Sequence, residues 1–319
     1  MRPWHTRPLP AAPPSATSPH RPACRSPRPR SSSDATPRRA SPRPPAPASR
    51  PPPPPSATHP IASRRRSSAG AGYALLLVST GDRALGDIVA TLRARQVDGA
   101  LLEAEGAVAL APETLAGLEV VLMDEPPSSL APGVATDAVA AGRLAAEHLL
   151  GLGHRALAFV GPATDIHAFR MRERGFVQRL REAGIALPSS WLRRVPPTVA
   201  GGREAMRALL THRPRPTAVF CANDLLALGA LKQAGAQRVP VPEALSVVGC
   251  DDIEMATLVT PELTTIAVPA RELGARAARL LIDRLEGVAK PVSGAKPLPV
   301  QLVRRGTAGP APDPMHRAA

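Results

Sequence analysis

The sequence predicts an α/β protein, a parallel sheet with crossover helices, preceded by a disordered arm. Three observations lead there. From Tyr73 onward, short apolar runs alternate with amphipathic segments, the order that builds βαβ units. Between Pro216 and Ile266, PTAVFCANDLLALGALKQAGAQRVPVPEALSVVGCDDIEMATLVTPELTTI reads strand, helix, strand, and each strand stops abruptly at polar residues. The composition also breaks near residue 72. Residues 1–71 hold 13 Arg, 20 of the 40 Pro, a single acid (Asp34) and no Lys. So few aliphatic side chains cannot offset chain entropy, and the arm is expected to be disordered. It also carries most of the net charge of +14; the remainder is nearly balanced, with 27 basic and 25 acidic residues. The high pI is therefore no sign of a folded nucleic-acid surface.

YALLLVST (Tyr73 to Thr80) is a continuous apolar run suited to a buried parallel strand. GDRALGDIVATLRARQ is an amphipathic helix with Leu85, Ile88, Val89 and Leu92 on one face, and ALLEA a second strand. GAVALAPETLAG carries a short helix, LEVVLMDE is a third strand, and Val134 to Thr136 are extended. Asp137 sits where an N-cap would open the helix AVAAGRLAAEHLLGLG, which Gly151 and Gly153 end. ALAFVGP is the next strand. A polar loop then leads to a helix whose start holds Arg170 and Arg172. A short strand and helix precede Pro216; the helix RELGARAARLLIDRLEG and the strand PLPVQLVRRG follow Ile266, before a frayed end.

Polar residues at the carboxyl ends of parallel strands mark a small-molecule site. The candidates are Asn223 and Asp224 after the first strand of the 216–266 unit, and Asp251 and Asp252 after the second. Arg170 and Arg172 lie close to the end of the preceding strand. An Arg there offers paired donors to vicinal hydroxyls or a carboxylate, although spacing alone does not distinguish this from a solvated first turn. His148 and His154 straddle a helix end with no third ligand nearby. Neither a metal nor a cofactor is expected, and His154 is read as bonding local carbonyls or favouring the helix end as a cation. Cys221 and Cys250 could face each other at neighbouring strand ends; two buried free thiols is the simpler reading. No run of 18 apolar residues exists and the amino terminus lacks a secretory core, so a cytoplasmic setting away from the membrane is expected.

The strings AGYALLLVST, VDGALL, AGRLAAEHLLGLGHRALAFVGP, RERGFVQRLREAG, PTAVFCANDLLALGAL, LSVVGCDDIEMATLVTPELTTI and LPVQLVRRG, in this order and spacing, resemble the effector-binding core of lactose-repressor-like (LacI/GalR) transcriptional regulators. The resemblance covers about residues 72–309. It implies two doubly wound parallel-sheet subdomains of the periplasmic-binding-protein-like type I fold with a ligand between them. Subdomain one would hold about 73–152 plus 271–287, and subdomain two about 153–266 plus 297–307, leaving 310–319 frayed. Arg172 in RERGF matches an Arg that binds sugar hydroxyls, Asn223 in AND a cleft amide, and Asp251 in GCDD a carboxylate acceptor. Asp224 and Asp252 match N-cap or structural positions, and Asp137 a motif position normally followed by Asn, here Ala138. Cys250 stands where an aromatic residue is usual. The family's helix-turn-helix, hinge and first βα unit are not recognisable ahead of AGY.

The resemblance implies a homodimeric regulator, not an enzyme, that senses a sugar or sugar derivative and acts on operator DNA. A solute-binding protein of a transport system would share the fold and cleft but needs an export signal. An enzyme would need a nucleophile–base pair or phosphate loop beside Asp224, Asp251 and Asp252, and none accompanies them.

Overall fold

Alternating apolar runs and amphipathic segments produce two sheets in the computed structural model, which describes residues 65–66, 73–76, 85–103, 115–127, 131–288 and 296–313. The first sheet has three parallel strands, β3 (Gly99–Leu102), β4 (Glu119–Met123) and β5 (Gly133–Val134), in that order. Helix α1 (Leu85–Ala94) packs Ile88, Val89 and Leu92 against Ala100, Val120 and Leu122.

The run YALLLVST contributes only β2 (Ala74–Leu75) among the described residues. It pairs antiparallel with β1 (Arg65–Arg66) instead of joining β3. A continuous apolar run signals burial but does not choose a partner strand, which is why the expected pairing differs. The rest of the predicted arm, and most of the short helix expected in GAVALAPETLAG, lie outside the described residues.

The second sheet has six strands: β6 (Leu157–Pro162), β7 (Leu192–Val195), β8 (Ala218–Cys221), β9 (Ser246–Asp251), β10 (Thr264–Ala267) and β11 (Gln301–Val303). Their order is β11-β10-β9-β8-β6-β7, all parallel except β11, which runs antiparallel to β10 at the edge. Helices α4 (Val199–Leu209) and α5 (Asp224–Ala236) cover one face. Helices α2 (Ala138–Gly151) and α3 (His167–Glu182) cover the other. There Phe159, Phe176 and Phe220 form a cluster with ring centroids 5.3–5.9 Å apart. Helix α6 (Ala270–Leu285) lies against β3 and β4 of the first sheet. Among the described residues, no helix is long and apolar enough to cross a membrane.

Three expectations are corrected. Helix α2, assigned from sequence to the first subdomain, buries Ala141, Ala145 and Leu149 in the core of the second sheet, so the crossover falls before Ala138. Amphipathicity shows which face of a helix is buried, not which sheet receives it. His154 does not stay at its helix end. Fully buried, its Nδ1 lies 2.9 Å from Thr217 Oγ1, and its Nε2 lies 3.0 Å from Ser246 Oγ and 3.1 Å from the Gly309 carbonyl. The end expected to fray is held to residue 311, where the Ala311 N–H donates to the Leu152 carbonyl at 2.8 Å. Cys221 and Cys250 belong to cores on opposite faces of the sheet, so they do not face each other.

Helices α2 and α3 touch backbone to backbone. A Cβ at Gly142 would overlap the Arg172 carbonyl, and one at Gly175 the Val139 carbonyl. Gly142→Ala is expected to cost about 1–3 kcal/mol, as overpacking does. The check is a lower urea midpoint at unchanged slope.

Candidate functional site

Strand β6 has β7 on one side and β8 on the other. The connections that leave β6 and β8, through α3 and α5, go to opposite faces of the sheet, and their divergence opens a crevice at the carboxyl ends of β6 and β8. Arg172, from the second turn of α3, reaches this point. Only 3% exposed, it donates from Nη1 to the Ala222 carbonyl at 2.6 Å, and the same nitrogen lies 2.9 Å from Asp251 Oδ1. The Phe169 ring, with its centroid 5.3 Å from the guanidinium carbon, adds a cation–π contact. The Arg172 Nε is buried with no partner among the described residues.

Asp251 ends β9 with its side chain 34% exposed. Burial pushes its carboxyl up to about 6, Arg172 pulls the other way, and Asp224 adds to the rise. The backbone here is unusual, with φ of +117° at Asp251 and +56° at Asp252. Two left-handed non-glycine residues in succession are strained and need bracing. Asp224 supplies much of it. Its Oδ2 accepts from the Ile253 N–H at 2.9 Å and its Oδ1 from the Thr265 hydroxyl at 2.5 Å. Gly249 is required beside it, because a Cβ there would overlap Asp224 Oδ1. Asp252 forms an ion pair with Arg305 at 2.7 Å.

Asn223, and not Asp224, is the N-cap of α5; its Oδ1 accepts from the Leu226 N–H at 2.9 Å. The oxygen is thus occupied, while the amide N–H donors have no partner among the described residues. Asp137 caps α2, accepting from the Ala140 N–H at 2.9 Å. Arg170 pairs with Asp165 at 2.8 Å, which places it outside the Arg172–Asp251 cluster. Of the seven residues singled out from the sequence, Arg172, Asn223 and Asp251 gather at the crevice, Asp224 and Asp252 brace it, and Asp137 and Arg170 serve elsewhere. Among the described residues, no group of three or more His, Cys, Asp or Glu side chains is arranged to hold a metal.

Three further residues were not foreseen. Phe169 stacks on Arg172; as one of four Phe in the chain, and the one outside the buried cluster, it was findable by elimination. Thr164, just past β6, has a buried hydroxyl without a partner among the described residues, and no sequence signal marks it. Asp124, with φ of +55°, follows β4, and its Oδ1 accepts from the Thr136 N–H at 3.0 Å and hydroxyl at 2.6 Å. It thereby ties the end of the first sheet to the crossover, where Thr136 bridges Leu298.

Residues 146–308 match the family model of the periplasmic binding protein-like domain. The ribose operon repressor of Escherichia coli (strain K12) is 34% identical over 226 residues, covering 69% of this chain and 68% of the repressor. The chain belongs to the LacI/GalR family. The HTH-type transcriptional repressor CytR of the same strain is 37% identical over 176 residues, 55% of this chain and 51% of CytR. The chain thus spans about half the length of such relatives. A LacI family regulator from Enterococcus faecium, crystallised with bound ribose, superposes with a TM-score of 0.61 at 31% identity, covering 70% of this chain and 84% of that one. Two of these relatives are named repressors and the third a transcriptional regulator, non-enzymatic roles. The fold of this LacI/GalR chain is accordingly periplasmic-binding-protein-like.

Asp224→Ala is expected to leave the Thr265 hydroxyl and the Ile253 N–H without their acceptor, costing about 2–4 kcal/mol. Urea unfolding of the full chain measures it.

Proposed function

We propose that the chain is the effector-sensing core of a cytoplasmic, homodimeric LacI-type regulator. A small polyhydroxylated effector, a sugar or sugar derivative, binds at the crevice and changes the regulator's grip on operator DNA. The observation that carries the reading is the buried Arg172 guanidinium held between the Ala222 carbonyl and Asp251 at the sheet's switch point. A guanidinium, a carboxylate and an amide offer paired donors, acceptors and a further donor, the set that vicinal hydroxyls satisfy. The named relatives include a ribose operon repressor and a regulator holding ribose, which supports a sugar and favours a regulator over a transport solute-binding protein. Asp251 and Asn223 would receive or orient hydroxyls, while Asp224 and Asp252 keep the turn in place.

A thermal-shift screen of the full chain against pentoses, hexoses, polyols and nucleosides tests this. Ligand at a hundredfold excess over Kd stabilises by about 2.7 kcal/mol. Arg172→Ala is expected to weaken the hit by about 10- to 100-fold, the value of a charged hydrogen bond. A ligand whose stabilisation survives both Arg172→Ala and Asp251→Asn overturns the site assignment.

The same acid sets a pH dependence. With its carboxyl at about 6, Asp251 is an ionised acceptor above that pH and a protonated acid below it. Affinity for an uncharged polyol should therefore fall as pH drops through 6, by about tenfold at pH 5. Titration calorimetry at several pH values checks this, and Asp251→Asn should flatten the profile.

A further inference from the structure

Helix α3 begins badly by its own sequence. Its N-cap is Ile166, which has no side chain to accept from the first N–H groups, and its first turn holds no acid. Isoleucine is among the poorest N-caps, and the nearby acid, Asp165 just ahead of it, is engaged by Arg170 at 2.8 Å, which leaves the positive end of the helix dipole able to take a second anion. The second carboxylate comes from the other sheet. Glu125, two residues past β4, places Oε2 3.6 Å from Nδ1 of His167, the first residue of α3, and the two side chains are 18% and 24% exposed. The Glu125 carboxylate thus stands at the first residue of α3, and the His167 and Arg170 charges favour its ionised form against the cost of burial. Because Glu125 leaves the first sheet and His167 opens a helix of the second, this contact lasts only while the two sheets' carboxyl ends stay together.

We infer that Glu125 is a positioning residue that caps α3 from across the cleft, so that the capped helix, and Arg172 one turn further on, are set by closure of the two subdomains. The inference rests on the effector reading only for its consequence. Opening the cleft removes this contact from the start of α3, so Glu125 raises the fraction of molecules in the closed form. Apparent affinity scales with that fraction. Loss of Glu125 should lower affinity for every effector by one common factor, about threefold to tenfold. A residue that touches the ligand would instead discriminate among effectors.

The test uses the full chain with Cys24→Ser and spin labels at two exposed sites, Arg95→Cys in the first subdomain and Arg203→Cys in the second, with no ligand present. The buried Cys221 and Cys250 remain unlabelled. Pulsed electron paramagnetic resonance reads the interspin distance. The expected result is a narrow distribution in the parent, a longer and broader one in Glu125→Ala and in His167→Ala, and no further change in the double variant. Glu125→Gln keeps an acceptor for the helix without the charge and should fall between, and it carries the test should Glu125→Ala fail to fold. An unchanged distribution in Glu125→Ala, or fully additive shifts in the double variant, overturns the inference. A second measurement takes D-ribose as probe: wild type and Glu125→Ala should differ threefold to tenfold in Kd. If D-ribose and the screened ligands bind neither protein, the effector reading fails, while the ligand-free distances still decide the role of Glu125.

Discussion

The buried guanidinium of Arg172 constrains everything around the crevice. Removing a cation from water costs several kcal/mol unless a counter-charge and further acceptors meet it. Asp251 and the Ala222 carbonyl do so. To present Asp251, β9 must end in two left-handed residues, each costing about 1–3 kcal/mol. That turn is held by Asp224, itself fixed at the first turn of α5 and bonded to Thr265 of β10, and by the Asp252–Arg305 pair. On the other side, the Arg172 carbonyl packs against Gly142 of α2. One buried charge thus links three helices, the ends of three strands and the segment after β11.

The two ends of the second sheet treat polar groups differently. At the amino ends of the strands, His154, Thr217, Ser246 and Gly309 satisfy one another, and Thr307 receives the Thr264 N–H while donating to the Val247 carbonyl. That end is sealed, and it fastens the carboxyl-terminal segment to the sheet. At the carboxyl ends, the Thr164 hydroxyl and Arg172 Nε are buried without partners among the described residues. Other buried atoms go unpaired as well, His148 Nε2 and Arg193 Nε among them, but the Thr164 hydroxyl and Arg172 Nε lie where a ligand's hydroxyls would complete them.

The order of strands and helices from Gly99 to Val303 was readable because each segment keeps one period and ends at a recognisable stop. Asn223 and Asp251 were readable for the same reason, since apolar runs ended on them. What escaped depends on distance in sequence. Helix α2 has an apolar stripe that fits either sheet, and only the glycine contacts with α3 decide it. The split of roles between Asn223 and Asp224 turns on which side chain faces back to the helix and which reaches Thr265, 41 residues away. His154 finds partners 63, 92 and 155 residues off, so no local pattern could announce them. Glu125 escaped because it caps a helix that begins 42 residues later in another subdomain.

Arg172, Asn223 and Asp251 all belong to the second sheet, and this limits what they can do. A ligand held by those three alone would distinguish the open from the closed arrangement only through the placement of α3, which the Glu125 contact sets on closure. Switching requires contacts that exist in only one arrangement, and these must come from the first sheet. The residues that follow β4 are the ones placed for it: Asp124, fixed to the crossover through Thr136, and Glu125, fixed to the start of α3. Affinity and response are therefore separate properties of this cleft. The first is built into the end of β9 and the helix that carries Arg172; the second depends on what the first sheet brings to meet them.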